Sequence, residues 1–110
     1  MRQTMIINYH NHGEPDARLR RFVERRAAIL DDWVSHLNDG SARLDVAIFY
    51  DIRSDYYTTE LCFRVSGQQI DAVGDGLQRT QSLERAFREL TERVDAMLTE
   101  SSLPQPALSR

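Results

Sequence analysis

Lysine is missing from this chain. All 14 basic residues of its 110 are arginine, set against 17 acidic residues for a net charge of −3. Any cationic surface must therefore come from local clustering of guanidinium groups, because there is no global excess of positive charge. Cysteine is almost missing as well. A lone Cys62 cannot close an internal disulfide, which agrees with a reducing cytoplasm. No apolar run approaches the ~20 residues of a membrane-spanning helix. The opening Met1-Arg2-Gln3-Thr4-Met5-Ile6-Ile7 has neither the long apolar stretch nor the cleavage site of a secretory signal, so no export and no membrane partner are expected. No catalytic triad, metal-ligand set or nucleotide loop stands out, and the expectation is a protein that is not an enzyme and uses no cofactor or small-molecule substrate.

What is present is an ordered alternation of hydrophobic periods. With 41% hydrophobic and 28% charged residues, the composition is that of one globular domain with a real core. Met5–His10 reads as a strand. From Asp16 to Leu37, Leu19, Val23, Ala27, Leu30, Val34 and Leu37 recur at helical steps on one face. Asp16 is placed as an N-cap or first-turn acid, and Asn38-Asp39-Gly40-Ser41 as the stop. Three strands follow at Ala42–Asp51, Tyr57–Ser66 and Gln68–Val73. In the first of them Leu44, Val46, Ile48 and Tyr50 alternate with Arg43, Asp45, Ala47 and Phe49. The polar Asp51–Asp55 connection suits a hairpin, and Ser66-Gly67-Gln68 a second turn. Asp75 is read as the N-cap of a last helix from Leu77 to Leu98, with Gln78 reaching back to it and Leu83, Phe87, Leu90, Val94 and Met97 facing inward.

The expected fold is α+β: a β-α-β-β-β-α two-layer sandwich, with a four-stranded mixed sheet covered on one face by both helices. The helical crossover makes the first two strands parallel, and the remaining strands form an antiparallel meander. Residues 1–100 form the single expected domain, and the Pro- and Ser-rich 101–110 an expected disordered tail.

With that order in view, the chain resembles the ribosome hibernation-promoting factors, also called ribosome-associated inhibitor or sigma-modulation proteins, over about Met5 to Leu98. The likeness lies in Leu19-Arg20-Arg21-Phe22-Val23-Glu24-Arg25-Arg26, in Glu60-Leu61-Cys62-Phe63-Arg64-Val65-Ser66-Gly67, in Ile70-Asp71-Ala72-Val73-Gly74-Asp75, and in the interval from Ala72 to Leu83. The resemblance implies a short-form, cytoplasmic factor of the stress response. Such a factor docks on the small ribosomal subunit, its 16S rRNA and proteins, in the channel used by mRNA and tRNA, and regulates translation by occupying it. Two features depart from the family's pattern. Gln78-Arg79-Thr80-Gln81-Ser82 stands where an acid-methionine-tyrosine-like stretch is usual, and Glu89 and Glu92 occupy positions that are usually basic.

The candidate RNA-binding residues are Arg18, Arg21 and Arg25 on the first helix and Arg79, Arg85 and Arg88 on the last. Arg18, Arg21 and Arg25 lie three and four apart, opposite the apolar stripe, where guanidinium forks can take successive phosphate oxygens. The competing reading is a solvated face balanced by Glu24, Asp31 and Asp32. On the last helix, Glu84–Arg88, Arg85–Glu89 and Glu89–Arg93 have the four-residue spacing of helix-stabilising pairs that would neutralise the ridge. With these swaps and the acidic balance, the alternative function is a protein–protein interaction module of the same fold that has lost ribosome binding. A monomer is compatible with the pattern, and self-association through the open sheet face is equally so.

The other candidates have plainer readings. His10 and His12 offer two ligands where zinc takes four, and His36 suits the carbonyls of a helix end. Cys62 is read as a small strand residue with no activating histidine beside it. Glu60 opposite Asp45 or Asp51 reads as a solubilising pair. Gly74-Asp75-Gly76 superficially suggests a phosphate loop but lacks the Lys-Ser/Thr that would follow. Phe49, Tyr50, Tyr56 and Tyr57 are assigned first to cross-strand packing, with base stacking on the open face and a partner interface as the alternatives.

Overall fold

The computed structural model describes residues 5–10, 16–34, 42–65 and 67–102. The elements are β1 (Ile6–His10), α1 (Ala17–Val34), β2 (Arg43–Asp51), β3 (Tyr56–Val65), β4 (Gln68–Gly76) and α2 (Arg79–Ser102). The sheet has the order β1-β2-β3-β4, with β1 parallel to β2 and the other pairs antiparallel. This is the expected α+β two-layer sandwich with a mixed four-stranded sheet.

Alternation along the strands decides what is buried. Leu44, Val46 and Ile48 of β2, Leu61, Phe63 and Val65 of β3, and Ala72 of β4 meet Leu19, Val23, Ala27 and Leu30 of α1 and Leu83, Phe87, Leu90 and Val94 of α2 in one core. Each large aliphatic or aromatic side chain taken out of water there contributes about 1.5–3 kcal/mol. Tyr50 keeps the inward phase but remains exposed, and it packs across the strand pair on Tyr57 with ring centroids 4.8 Å apart.

Asp16 caps α1 as expected: its carbonyl accepts from the Arg20 amide at 3.0 Å and its Oδ1 from the Leu19 amide at 2.8 Å. The expected continuation to Leu37, the Asn38–Ser41 stop, His12 and His36 lie outside the described residues. The hairpin after β2 is closed by Asp51, which accepts from the Arg53 amide and the Ser54 hydroxyl, and by Asp55 in the left-handed region at φ 55°.

Three boundaries around α2 differ from the sequence reading: the end of β4 and both ends of α2 itself. β4 does not stop at Val73 but runs through Gly76, so Gly74-Asp75-Gly76 is strand, not loop. Asp75 pairs with Thr58 and accepts its hydroxyl at 2.9 Å instead of capping a helix. α2 begins at Arg79, with the Gln78 carbonyl accepting the first helical bond from Ser82. The side chain that reaches back is that of Gln81, whose Oε1 accepts from the Leu77 amide at 2.8 Å. At its other end α2 continues to Ser102, so Ser101 and Ser102 are helical; residues 103–110 lie outside the described set.

Gly74 explains the extension of the strand. A Cβ placed there would collide with the backbone of Ala86 and Ser82, so α2 lies on β4 backbone to backbone. Glycine is needed here for close approach, not for a turn. Nearby, the Thr59 and Ser82 hydroxyls bond at 2.8 Å in full burial, and Ser82 also donates to the Arg79 carbonyl.

Candidate nucleic-acid interface

Arg18, Arg21 and Arg25 gather with Phe22 around a shallow hollow of about 260 Å³ on the outer side of α1. Positions 18, 21, 22 and 25 follow the spacing that brings side chains onto one helix face. None of the three arginines enters an ion pair or hydrogen bond among the described residues. Phe22 is half-buried, tilted against Phe87 at 6.4 Å, and Arg26 sits over its ring at 5.2 Å from the centroid. The aromatic thereby anchors the arginine face to the contact between the helices.

The arginines of α2 are deployed differently. Arg79 donates to Asp16 Oδ2 at 3.0 Å, which fixes it to the start of α1. Arg85 donates to the Asp75 carbonyl at 2.9 Å. Arg88 faces solvent in a second hollow with Arg26, Glu84, Thr91 and Glu92. Of the three neutralising pairs suggested by spacing, only Glu89–Arg93 forms, at 3.0 Å. Glu84 turns instead across the helix interface to Arg26 at 3.4 Å. That carboxylate, with Glu92, interrupts the cationic surface between the helices. The six candidate arginines therefore do not make one strip; the three of α1 make a compact cluster, and those of α2 are dispersed.

Glu89 has a use that sequence reading missed. Its Oε1 accepts from the Val73 amide at 2.7 Å, covering the outer edge of β4, while Oε2 takes Arg93. The Val73 amide, more than Arg93, holds the Glu89 carboxyl below its usual range. An edge N–H next to the last helix needs an acceptor, and this acid supplies it.

On the far side of the sheet, Asp45 collects the Asn8 amide at 3.2 Å, His10 Nε2 at 3.1 Å and Arg43 Nε at 3.5 Å. Burial alone would raise its carboxyl, but His10, Asn8 and Arg43 together pull it below the ordinary range. Burial, and then the Asp71 carboxylate, push the Cys62 thiol up, which disfavours the nucleophilic thiolate. Glu60 is opposite neither Asp45 nor Asp51, contrary to the sequence reading: its partners in register are Ala47 and Val73. No helix among the described residues is long and apolar enough to cross a membrane.

Comparison with known proteins places this geometry among solved folds. No protein-family model and no curated protein sequence matches the chain. Among solved structures, the chain is similar to the N-terminal domain of Protein Y from Thermus thermophilus, with a TM-score of 0.63 and 18% identity over 88% of this chain and 99% of that one. It is also similar to a ribosomal subunit interface protein from Coxiella burnetii, with a TM-score of 0.58 and 9% identity over the same shares of the two chains, 88% and 99%. At these identities the likeness is one of fold, and it extends over the whole length of both neighbours.

Proposed function

We propose that this chain is a ribosome-associated factor of the hibernation type, acting in the cytoplasm by occupying the small ribosomal subunit and so silencing translation. The observation that carries this reading is the cluster of Arg18, Arg21 and Arg25 around Phe22, unpaired among the described residues, on a fold it shares with a ribosomal subunit interface protein. Three guanidinium groups on one helix face can each take a phosphate oxygen bidentately, and the aromatic among them offers a surface for a base. Arg88 extends the contact on α2. Arg79 and Arg85 are fastened to Asp16 and the β4 backbone, so only the N–H groups outside those bonds are offered to phosphates, from a fixed position. No bond is made or broken in this activity; occupancy is the function, and no cofactor enters it.

The test is co-sedimentation of the protein with purified small subunits across a salt series. Association is expected at low salt and release as salt rises, with a log–log slope of about −0.7 to −0.9 per phosphate contacted. Reversing Arg18, Arg21 and Arg25 together to Glu should abolish association while leaving the circular dichroism spectrum unchanged. Unaltered co-sedimentation of that variant overturns the site. Failure of the parent protein to associate overturns the function in favour of a protein–protein interaction module of the same fold, a reading favoured by Glu84 and Glu92 among the arginines of the helix surface.

A further inference from the structure

The face of the sheet turned away from the helices has a charge pattern of its own. The register aligns Asn8, Asp45, Cys62 and Asp71 in one row across the four strands, and His10, Ala47, Glu60 and Val73 in the next. Asp75 follows beside Thr58, while Arg43 and Arg64 sit together in the row on the opposite flank. Neighbouring strands are ~4.8 Å apart and alternate residues along a strand ~7 Å apart, so Asp45, Glu60 and Asp71 share one small field. They line a hollow of about 370 Å³ with Ala47, Cys62 and Val73. Glu60 has no hydrogen-bond or ion-pair partner among the described residues, and Val73 is 49% exposed.

We propose that this open sheet face docks a lysine- or arginine-bearing segment of a partner protein. The face is complementary to that chemistry in two respects. Asp45 is already paired with Arg43, whereas Glu60 and Asp71 have no ion-pair partner among the described residues, and a basic head placed between those two relieves their mutual repulsion. The Ala47 and Val73 side chains beside them accept the methylene stem that precedes the head. Arg64, and Arg43 in its pair with Asp45, bound the field on one flank, so a basic segment is directed away from them and held over Glu60, Asp71 and Asp75. The same carboxylates turn a polyanion away, which separates this surface from the arginine cluster of α1 on the other layer. The inference goes beyond the ribosome reading and does not depend on it.

The experiment is fluorescence anisotropy of a labelled oligo-arginine peptide titrated with the full chain at low salt. Glu60→Gln combined with Asp71→Asn should weaken binding about tenfold, as expected for losing two surface charge contacts. Glu92→Gln combined with Asp95→Asn removes the same charge from the exposed side of α2 and should leave the affinity unchanged. The Arg18→Glu, Arg21→Glu, Arg25→Glu variant should still bind the peptide, so failure here and failure of ribosome binding are read separately. Amide shift mapping on the parent protein, which needs no substitution, should perturb Ala47, Glu60 and Val73 and spare α1. Absence of peptide binding, equal weakening by both acidic pairs, or shifts centred on the helices overturns the proposal.

Discussion

Arg79 Nη2 lies 3.0 Å from Asp16 Oδ2, so the first turn of α2 is fastened to the cap of α1. The same carboxylate receives the Leu19 amide on its other oxygen. One aspartate thus closes a helix start and joins the two members of the helical layer.

The joint is expected to respond to pH. The Leu19 amide, and after it the Arg79 guanidinium, hold the Asp16 carboxyl below its ordinary value of 3.8. A carboxyl depressed in the folded state adds stability above its unfolded value, and that stability is lost as pH falls through the lower folded one. Denaturant unfolding of the parent should therefore weaken relative to Asp16→Asn as pH drops below about 4. Asp16→Ala, which also loses the cap, should be less stable than Asp16→Asn at pH 7. A parent–Asn difference independent of pH would refute the linkage.

Gly74→Ala is expected to lower stability by roughly 1–3 kcal/mol, since the added methyl meets the α2 backbone at Ala86 and Ser82. Urea midpoints measure this directly. Gly67→Ala provides the contrast: nothing crowds a Cβ there, and its cost comes from the left-handed φ of 77° alone.

The buried hydroxyl pair should behave asymmetrically. Removing Ser82 Oγ by Ser82→Ala leaves the Thr59 hydroxyl buried without its partner, at a cost of about 1–3 kcal/mol. Thr59→Val leaves Ser82 its bond to the Arg79 carbonyl and should cost less. Thermal melts of the two single variants decide it, and equal losses would contradict the assignment.

Glu89→Ala should accelerate hydrogen exchange at the Val73 amide, which loses its acceptor, whereas Glu89→Gln keeps an oxygen in place and should preserve most of the protection. Exchange at Ala72, on the buried phase of the same strand, serves as the internal control. Equal protection of Val73 in both variants would show that the edge bond is not made in solution.

The element order was legible because burial on one face imposes a period of two on strands and of 3.6 on helices. Leu44 to Ile48 and Leu83 to Val94 display those periods without interruption. The end of β4 is hidden in the sequence because Gly74 and Gly76 look like turn residues in one dimension; their purpose is proximity to α2, which exists only after packing. The arginine cluster could be found from its spacing at 18, 21 and 25, and Phe22 falls on the same face by the same rule. The fate of Glu84 and Glu89 could not be found that way. Four-residue spacing did pair Glu89 with Arg93, but the Arg88 it offered Glu84 gave way to Arg26 of α1, and the Arg85 it offered Glu89 gave way to the Val73 amide of β4. Local pairs worth ~0.2–0.5 kcal/mol yield to partners that tertiary structure supplies.

The parallel pairing of β1 with β2 has a kinetic consequence. Asn8 reaches Asp45 across 37 positions of chain, whereas Thr58 meets Asp75 across 17. Loop closure grows more costly with the length enclosed, so the three-strand meander with α2 is expected to assemble first and β1 to join an already formed edge. In native-state exchange the amides of β1 should then open at lower free energy than those of β3, and the amino-terminal strand becomes the part of the molecule that leaves first and returns last.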